Sequence, residues 1–121
     1  MAVTRVEDTT IANAVHSQGF RFRYQSRAIA NTDVQVVPDG APPVQLVTTS
    51  GTGPAVLRLP LAAADGTLFI IANLVASTQS LTVTDDAGSP ATIMTLATDS
   101  GGMVMKVGAA YQILMEGATM A

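Results

Sequence analysis

The sequence predicts an all-β fold, and three observations carry the prediction. Gly, Pro, Asn and Asp punctuate the chain roughly every 8–12 residues. Between these marks run short stretches rich in Val, Leu, Ile and Thr, and several of them alternate apolar with polar side chains, the period of a strand with one buried face. This rhythm fits a single β-sandwich or jelly-roll-like barrel of seven to nine short, mostly antiparallel strands. With 121 residues the chain suits one domain. The expected organisation is an extended N-terminal arm over residues 1–18 and the β-domain over 19–121.

The arm comes first and lacks the strand rhythm. Asp8 or Thr9 is placed to cap a short helical turn carrying Ile11, Ala12 and Val15, and Gly19 stops it. About ten residues are marginal as an isolated helix, so the arm is expected to order only against another surface. Strand signals follow at 19–29, 33–37, 44–49, 55–61, 67–74, 79–84, 92–98, 102–107 and 110–116. In the first, Phe20, Phe22 and Tyr24 share one face and Arg21, Arg23, Gln25 and Arg27 the other. Its plain reading is a solvated outer face over an aromatic core; its functional reading is a docking strand that offers bidentate donors to a partner's carboxylates. The middle strands assign buried faces by alternation: Leu57, Leu59 and Leu61 against Arg58, then Leu81 and Val83 against Thr82 and Thr84. Tyr111, Ile113 and Met115 alternate with Gln112, Leu114 and Glu116 in the last strand. Leu68, Phe69, Ile70 and Ile71 are apolar on both faces and read as a central strand or as one covered by a partner subunit, which makes them the candidate oligomer interface. Pro38-Asp39-Gly40, Asp65-Gly66 and Asp85-Asp86-Ala87-Gly88 supply the turns, and hairpins are the expected connections.

Composition limits what such a domain does. Hydrophobic residues make up 48% of the chain and charged residues 12%, whereas a surface kept soluble by charge carries about 25–35%. The chain is long enough to bury about two-thirds of its surface, leaving roughly 6,100 Å². Six cations and nine anions cannot cover that area. A substantial apolar patch closed in a permanent interface, and hence a homo-oligomer, is the expectation. Charge is also uneven: residues 1–30 hold four arginines against two acids, and the rest of the chain two cations against seven acids. The net charge of −3 argues against a nucleic-acid partner. The N-terminus has no basic start followed by an apolar run, and the longest apolar stretch, Leu68 to Ala76, is broken by Asn73, so neither a signal peptide nor a membrane span is expected.

Residues that could carry chemistry are few. The absence of Cys excludes disulfides, thiolate metal sites and Cys nucleophiles. The sole histidine, His16, lies in the arm with no Ser-His-Asp order or His-rich metal spacing around it. Asp85 and Asp86 lack the Asp-x-Asp-x-Asp-Gly pattern of a calcium loop and read as turn caps. Ser50-Gly51-Thr52-Gly53-Pro54 lacks the Lys of a phosphate loop and reads as a flexible loop. No cofactor and no catalysis are expected. With 4% aromatics and no Trp, a sugar-stacking platform is poorly supplied. Five of six methionines fall at 94–120, where core filling or a repackable interface both fit.

Residues 66–114 run through Gly-Thr-Leu-Phe-Ile-Ile-Ala-Asn-Leu, Gln-Ser-Leu-Thr-Val-Thr-Asp-Asp-Ala-Gly-Ser, Ala-Thr-Ile-Met-Thr-Leu and Gly-Gly-Met-Val-Met-Lys-Val-Gly-Ala-Ala-Tyr-Gln-Ile-Leu. The pattern resembles a β-domain of tailed-bacteriophage virion proteins, above all head decoration (cement) proteins and some fibre modules. It covers about 40% of the chain, and Tyr111 stands where the usual final Trp would be. The resemblance implies a structural virion protein on the capsid exterior, assembled in the host cytoplasm, that binds the major capsid protein and stabilises the head, often as a homotrimer. The arm's Val3, Val6, Ile11 and Val15 would then supply apolar contact along the capsid, with Arg21, Arg23 and Arg27 fixing the register. Alternatives from other classes are a tail-fibre or adhesin module that binds a host glycan, and a hydrolase on a β-fold.

Overall fold

The computed structural model describes residues 21–119, with side chains over 21–117. Among these residues there are nine strands and no helix: β1 (Tyr24–Ala30), β2 (Val34–Val36), β3 (Val44–Ser50), β4 (Ala55–Leu59), β5 (Leu68–Asn73), β6 (Leu81–Asp85), β7 (Thr92–Leu96), β8 (Ser100–Val107) and β9 (Ala110–Thr119). They form two mixed sheets, one ordered β1-β3-β5-β8-β9 and the other β2-β4-β6-β7.

From β1 to β6 the chain changes sheet at every strand. Odd strands therefore stack in parallel in one sheet, and even strands in parallel in the other. Only then do the β6–β7 and β8–β9 hairpins appear, with β8 returning antiparallel to β5. Four of the seven pairings are parallel, which corrects the expectation of a mostly antiparallel fold joined by hairpins. The reason lies in the turns. In Pro38-Asp39-Gly40-Ala41 the Ala41 amide donates to the Pro38 carbonyl at 3.2 Å, and Gly40 takes φ 87. In Ala64-Asp65-Gly66-Thr67 the Thr67 amide donates to Ala64 at 3.1 Å. These turns reverse the chain with positive φ at the third residue, as the sequence predicts. A tight turn does not specify whether the next strand joins the same sheet or the opposite one.

At the other end the crossovers are stitched by polar side chains. The backbone N–H of Asn31 donates to Ser50 O at 2.7 Å, and the side-chain Nε2 of Gln79 donates to both Asn31 O and Ser50 O, at 2.9 and 2.8 Å. Asn73 and Thr49 are fully buried and hold Gln79 O from two sides. Thr49 Oγ1 also lies 3.3 Å from Asn73 Oδ1, and Asn73 Nδ2 donates to Leu96 O at 3.1 Å, so a buried hydrogen-bond network fixes the crossover positions.

One apolar core takes side chains from both sheets: Ile29, Val47, Phe69, Ile71 and Val104 from the larger, Leu57, Leu59, Leu81, Val83 and Leu96 from the smaller. The Phe69 and Tyr111 rings meet at 6.2 Å, and the Tyr111 hydroxyl donates to Pro60 O at 2.6 Å.

Candidate binding surface

Strand β1 turns the opposite way from the expected one. Tyr24 is 65% exposed and Phe22 48%, while Gln25, Arg27 and Ile29 face the second sheet. The Arg27 guanidinium donates to Gln45 Oε1 at 2.6 Å, to Gln25 at 3.1 Å and to Gln35 at 3.2 Å. Gln45 is fully buried, and its amide nitrogen in turn donates to Pro42 O at 2.8 Å. Arg27 thus bridges β1, β2 and β3 where the two sheets begin, and burial lowers its pKa. It belongs to the fold and not to an outward row of arginines. The cause is register: β1 pairs with β3 so that Ile29 enters the core, and period 2 then turns Arg27 and Gln25 inward. Arg21 and Arg23 precede the strand and are exposed. Val3, Val6, Ile11, Val15, His16 and Phe20 lie outside the described residues.

The expected oligomer residues divide likewise. β5 is the central strand of the five-stranded sheet. Phe69 and Ile71 are core residues at 2% and 0% exposure, so neither is available to a partner. Leu68 and Ile70 face outward and are half-buried.

On that outer face the registers align one residue from each strand. Tyr24 pairs with Val44, Val44 with Ile70, Ile70 with Met103, and Met103 with Met115. This unbroken apolar ladder crosses all five strands. Beside it lie Ser26, Leu46, Ala72 and Gly101 on one side and Leu68, Met105 and Gln112 on the other. No charged side chain stands in these three rows. At the β9 margin the register shifts on both sides of Met103: Leu114 is an extra residue between Ile113, opposite Val104, and Met115, opposite Met103, and a second extra residue falls between Met115 and Ala118, opposite Gly101. Leu114 and Met115 are 53% and 52% exposed, and the alternation expected for β9 ends there. The outer face of the other sheet differs, with rows Val34-Val56-Thr82-Thr95 and Val36-Arg58-Thr84-Thr92. The alternation of the sequence points Tyr24 to the core and Met115 to the buried face of the last strand, whereas both are exposed, and it ties Val44, Met103 and Met105 to no common surface. The Met103-x-Met105 spacing was the visible signal of this face.

The acids serve turns. Asp85 Oδ1 accepts from the Ala87 and Ala91 amides, both at 3.1 Å, Asp86 from Leu61 at 2.9 Å, and Asp65 from Gly108 at 2.8 Å. The turn-cap reading therefore holds for Asp85, whereas Asp86 ties its turn to the connection between β4 and β5. Among the described residues no three of His, Asp and Glu gather as metal ligands, and no helix is long and apolar enough to cross a membrane. A cleft of about 350 Å³ opens between β7 and β9, lined among others by Asp85, Ile93, Tyr111 and Ile113. Its one carboxylate is occupied by the turn, and the Tyr111 phenol, held up to about 12 by burial and by the Asp86 and Asp39 carboxylates, is tied to Pro60. The lining holds no acid–base pair.

No family model, curated protein or solved structure matches this chain.

Proposed function

We propose that this chain is a non-catalytic structural protein that works by packing against other protein subunits, and that its setting is the exterior of a tailed-phage head, where it binds the major capsid protein. The observation that carries the assembly reading is the uncharged ladder from Tyr24 to Met115, which runs the full width of a sheet. Monomers rarely leave such a face to water. The two sheets are read as a sandwich whose smaller, threonine-rich outer face meets solvent while the larger one docks. The capsid setting rests on the pattern over residues 66–114 and on the exposed Arg21 and Arg23 beside the chain's entry into β1.

Co-sedimentation tests it. The protein is mixed with shells of the major capsid protein encoded nearest to it, and with a glycan array as the rival. Saturable binding to shells, with a higher temperature of shell disruption, supports the capsid reading. Binding to glycans without binding to shells overturns it in favour of an adhesin module.

A further inference from the structure

We propose that the outer face of the five-stranded sheet seats a second copy of this chain, packed face to face about a two-fold axis that runs along β5 between the two Ile70 side chains. This rests on the assembly reading above and names the occupant of that surface.

Three observations select a second copy. The first is charge. The chain carries net −3, so two copies repel wherever their acids approach. Among the described residues, Asp33, Asp39, Asp65, Asp86 and Asp99 lie in loops, Asp85 ends β6, and Glu116 stands at the β9 margin between Met115 and Ala118, where a two-fold axis along β5 would set it over β1, a strand without an acid. The three face rows hold none of them, so copies meet there without like charges opposed.

The second is the symmetry of the ladder. β5 is the third of five strands, and Ile70 is the third of the five ladder residues. A two-fold axis along β5 places β1 of one copy over β9 of the other in the same row. The exposed Tyr24 ring then covers the Leu114 and Met115 side chains that the bulge presents, and a thioether against an aromatic ring is a favourable contact. Each margin completes the other, which is the self-complementarity an isologous interface requires.

The third is size. Five strands at about 4.8 Å spacing and three rows along them give a face of roughly 20 by 20 Å. Two such faces bury on the order of 1,000 Å² of accessible surface, near the lower limit for specific association. The pair is accordingly expected to dissociate at micromolar concentration, with two copies and not three.

The experiment uses the full chain. Light scattering across micromolar to millimolar concentration is expected to show a reversible shift from one copy to two. Ile70→Glu is expected to hold the protein at one copy with its melting temperature within a few degrees of the parent. The chain has no Cys, so a variant with Tyr24→Cys and Met115→Cys, treated with a short bis-maleimide, is expected to give a covalent pair that neither single variant gives. A mass of three copies, or crosslinking by Tyr24→Cys alone, overturns the two-fold arrangement. A parent that stays at one copy overturns the second-copy inference. In that case, loss of shell binding by Ile70→Glu leaves the capsid reading standing with the face docked on the shell, and marked destabilisation by Ile70→Glu shows the face covered from within the chain.

Discussion

The arginines divide by what they touch. Arg27 donates to three glutamine oxygens, one of them on the fully buried Gln45. Arg27→Ala therefore leaves Gln45 Oε1 unsatisfied in the interior, and a loss of about 2 kcal/mol in urea unfolding is expected. Arg21→Ala together with Arg23→Ala alters exposed side chains, and stability is expected to stay within about 0.5 kcal/mol of the parent. Equal losses in both variants would show that Arg27 has no special place. Nothing local separates these residues, since Phe20 to Arg27 alternates evenly and either face could turn inward. The choice was made by Ile29, whose burial carries the whole strand with it. Tyr111 gives a second residue-scale expectation. Its phenol is held up to about 12, against about 10 in the unfolded chain. The raised folded value means the contribution is fully present below pH 10 and is lost as pH rises towards 12. Tyr111→Phe is expected to flatten that alkaline decline in the urea midpoint while lowering stability near pH 7 by about 1 kcal/mol, through loss of the Pro60 hydrogen bond. An unchanged alkaline slope would count against the buried phenol as its cause.

At the scale of the element, the strands were legible and their partners were not. Each of the nine signals overlaps a strand, because β-branched runs between turn residues suffice to mark extended backbone, although β1 begins only at Tyr24 where the signal starts at 19. β8 begins at Ser100, before the signal at 102, because Gly101 and Gly102 lack the side chains by which strands are recognised yet still pair with β5. Pairing depends on the crossovers, whose contacts are distant in sequence: Gln79 Nε2 to Asn31 O spans 48 residues. Two glycine substitutions separate a turn from a crossover. Gly40 takes φ 87 with open space around it, so Gly40→Ala is expected to cost about 1 kcal/mol for the left-handed backbone alone. Gly51 takes φ 81, and a Cβ there would strike the Asn31 side-chain oxygen, which accepts the Thr52 amide. Gly51→Ala is expected to cost about twice as much, because it strains the backbone and displaces that hydrogen bond as well. Equal losses in urea unfolding would mean the stacked crossovers are looser than their hydrogen bonds imply.

At the scale of the whole fold, the central rows of the larger sheet's outer face hold no charged side chain, and this separates two modes of association by their response to salt. Composition leads one to expect an apolar patch, since 12% charged residues cannot cover the domain. It did not locate the patch, because Val44, Ile70, Met103 and Met115 come together only through pairings between strands far apart in sequence. The three rows around them carry no charge, so self-association through this face has little Coulomb energy to screen. Between 50 and 500 mM NaCl the Debye length falls from about 14 to about 4 Å, and exposed ion pairs lose most of their attraction. The pairing equilibrium is therefore expected to move less than twofold over that range in sedimentation equilibrium. It is expected to strengthen in sodium sulfate, which favours apolar burial, and to show a negative heat-capacity change in dilution calorimetry. On the proposed capsid reading, contacts of Arg21 and Arg23 with acidic groups of a shell would respond oppositely, weakening as NaCl rises, and Arg21→Ala with Arg23→Ala is expected to reduce that dependence. A pairing constant that falls tenfold or more with NaCl would assign self-association to the charged loops and the arginines, and would leave the ladder without its role.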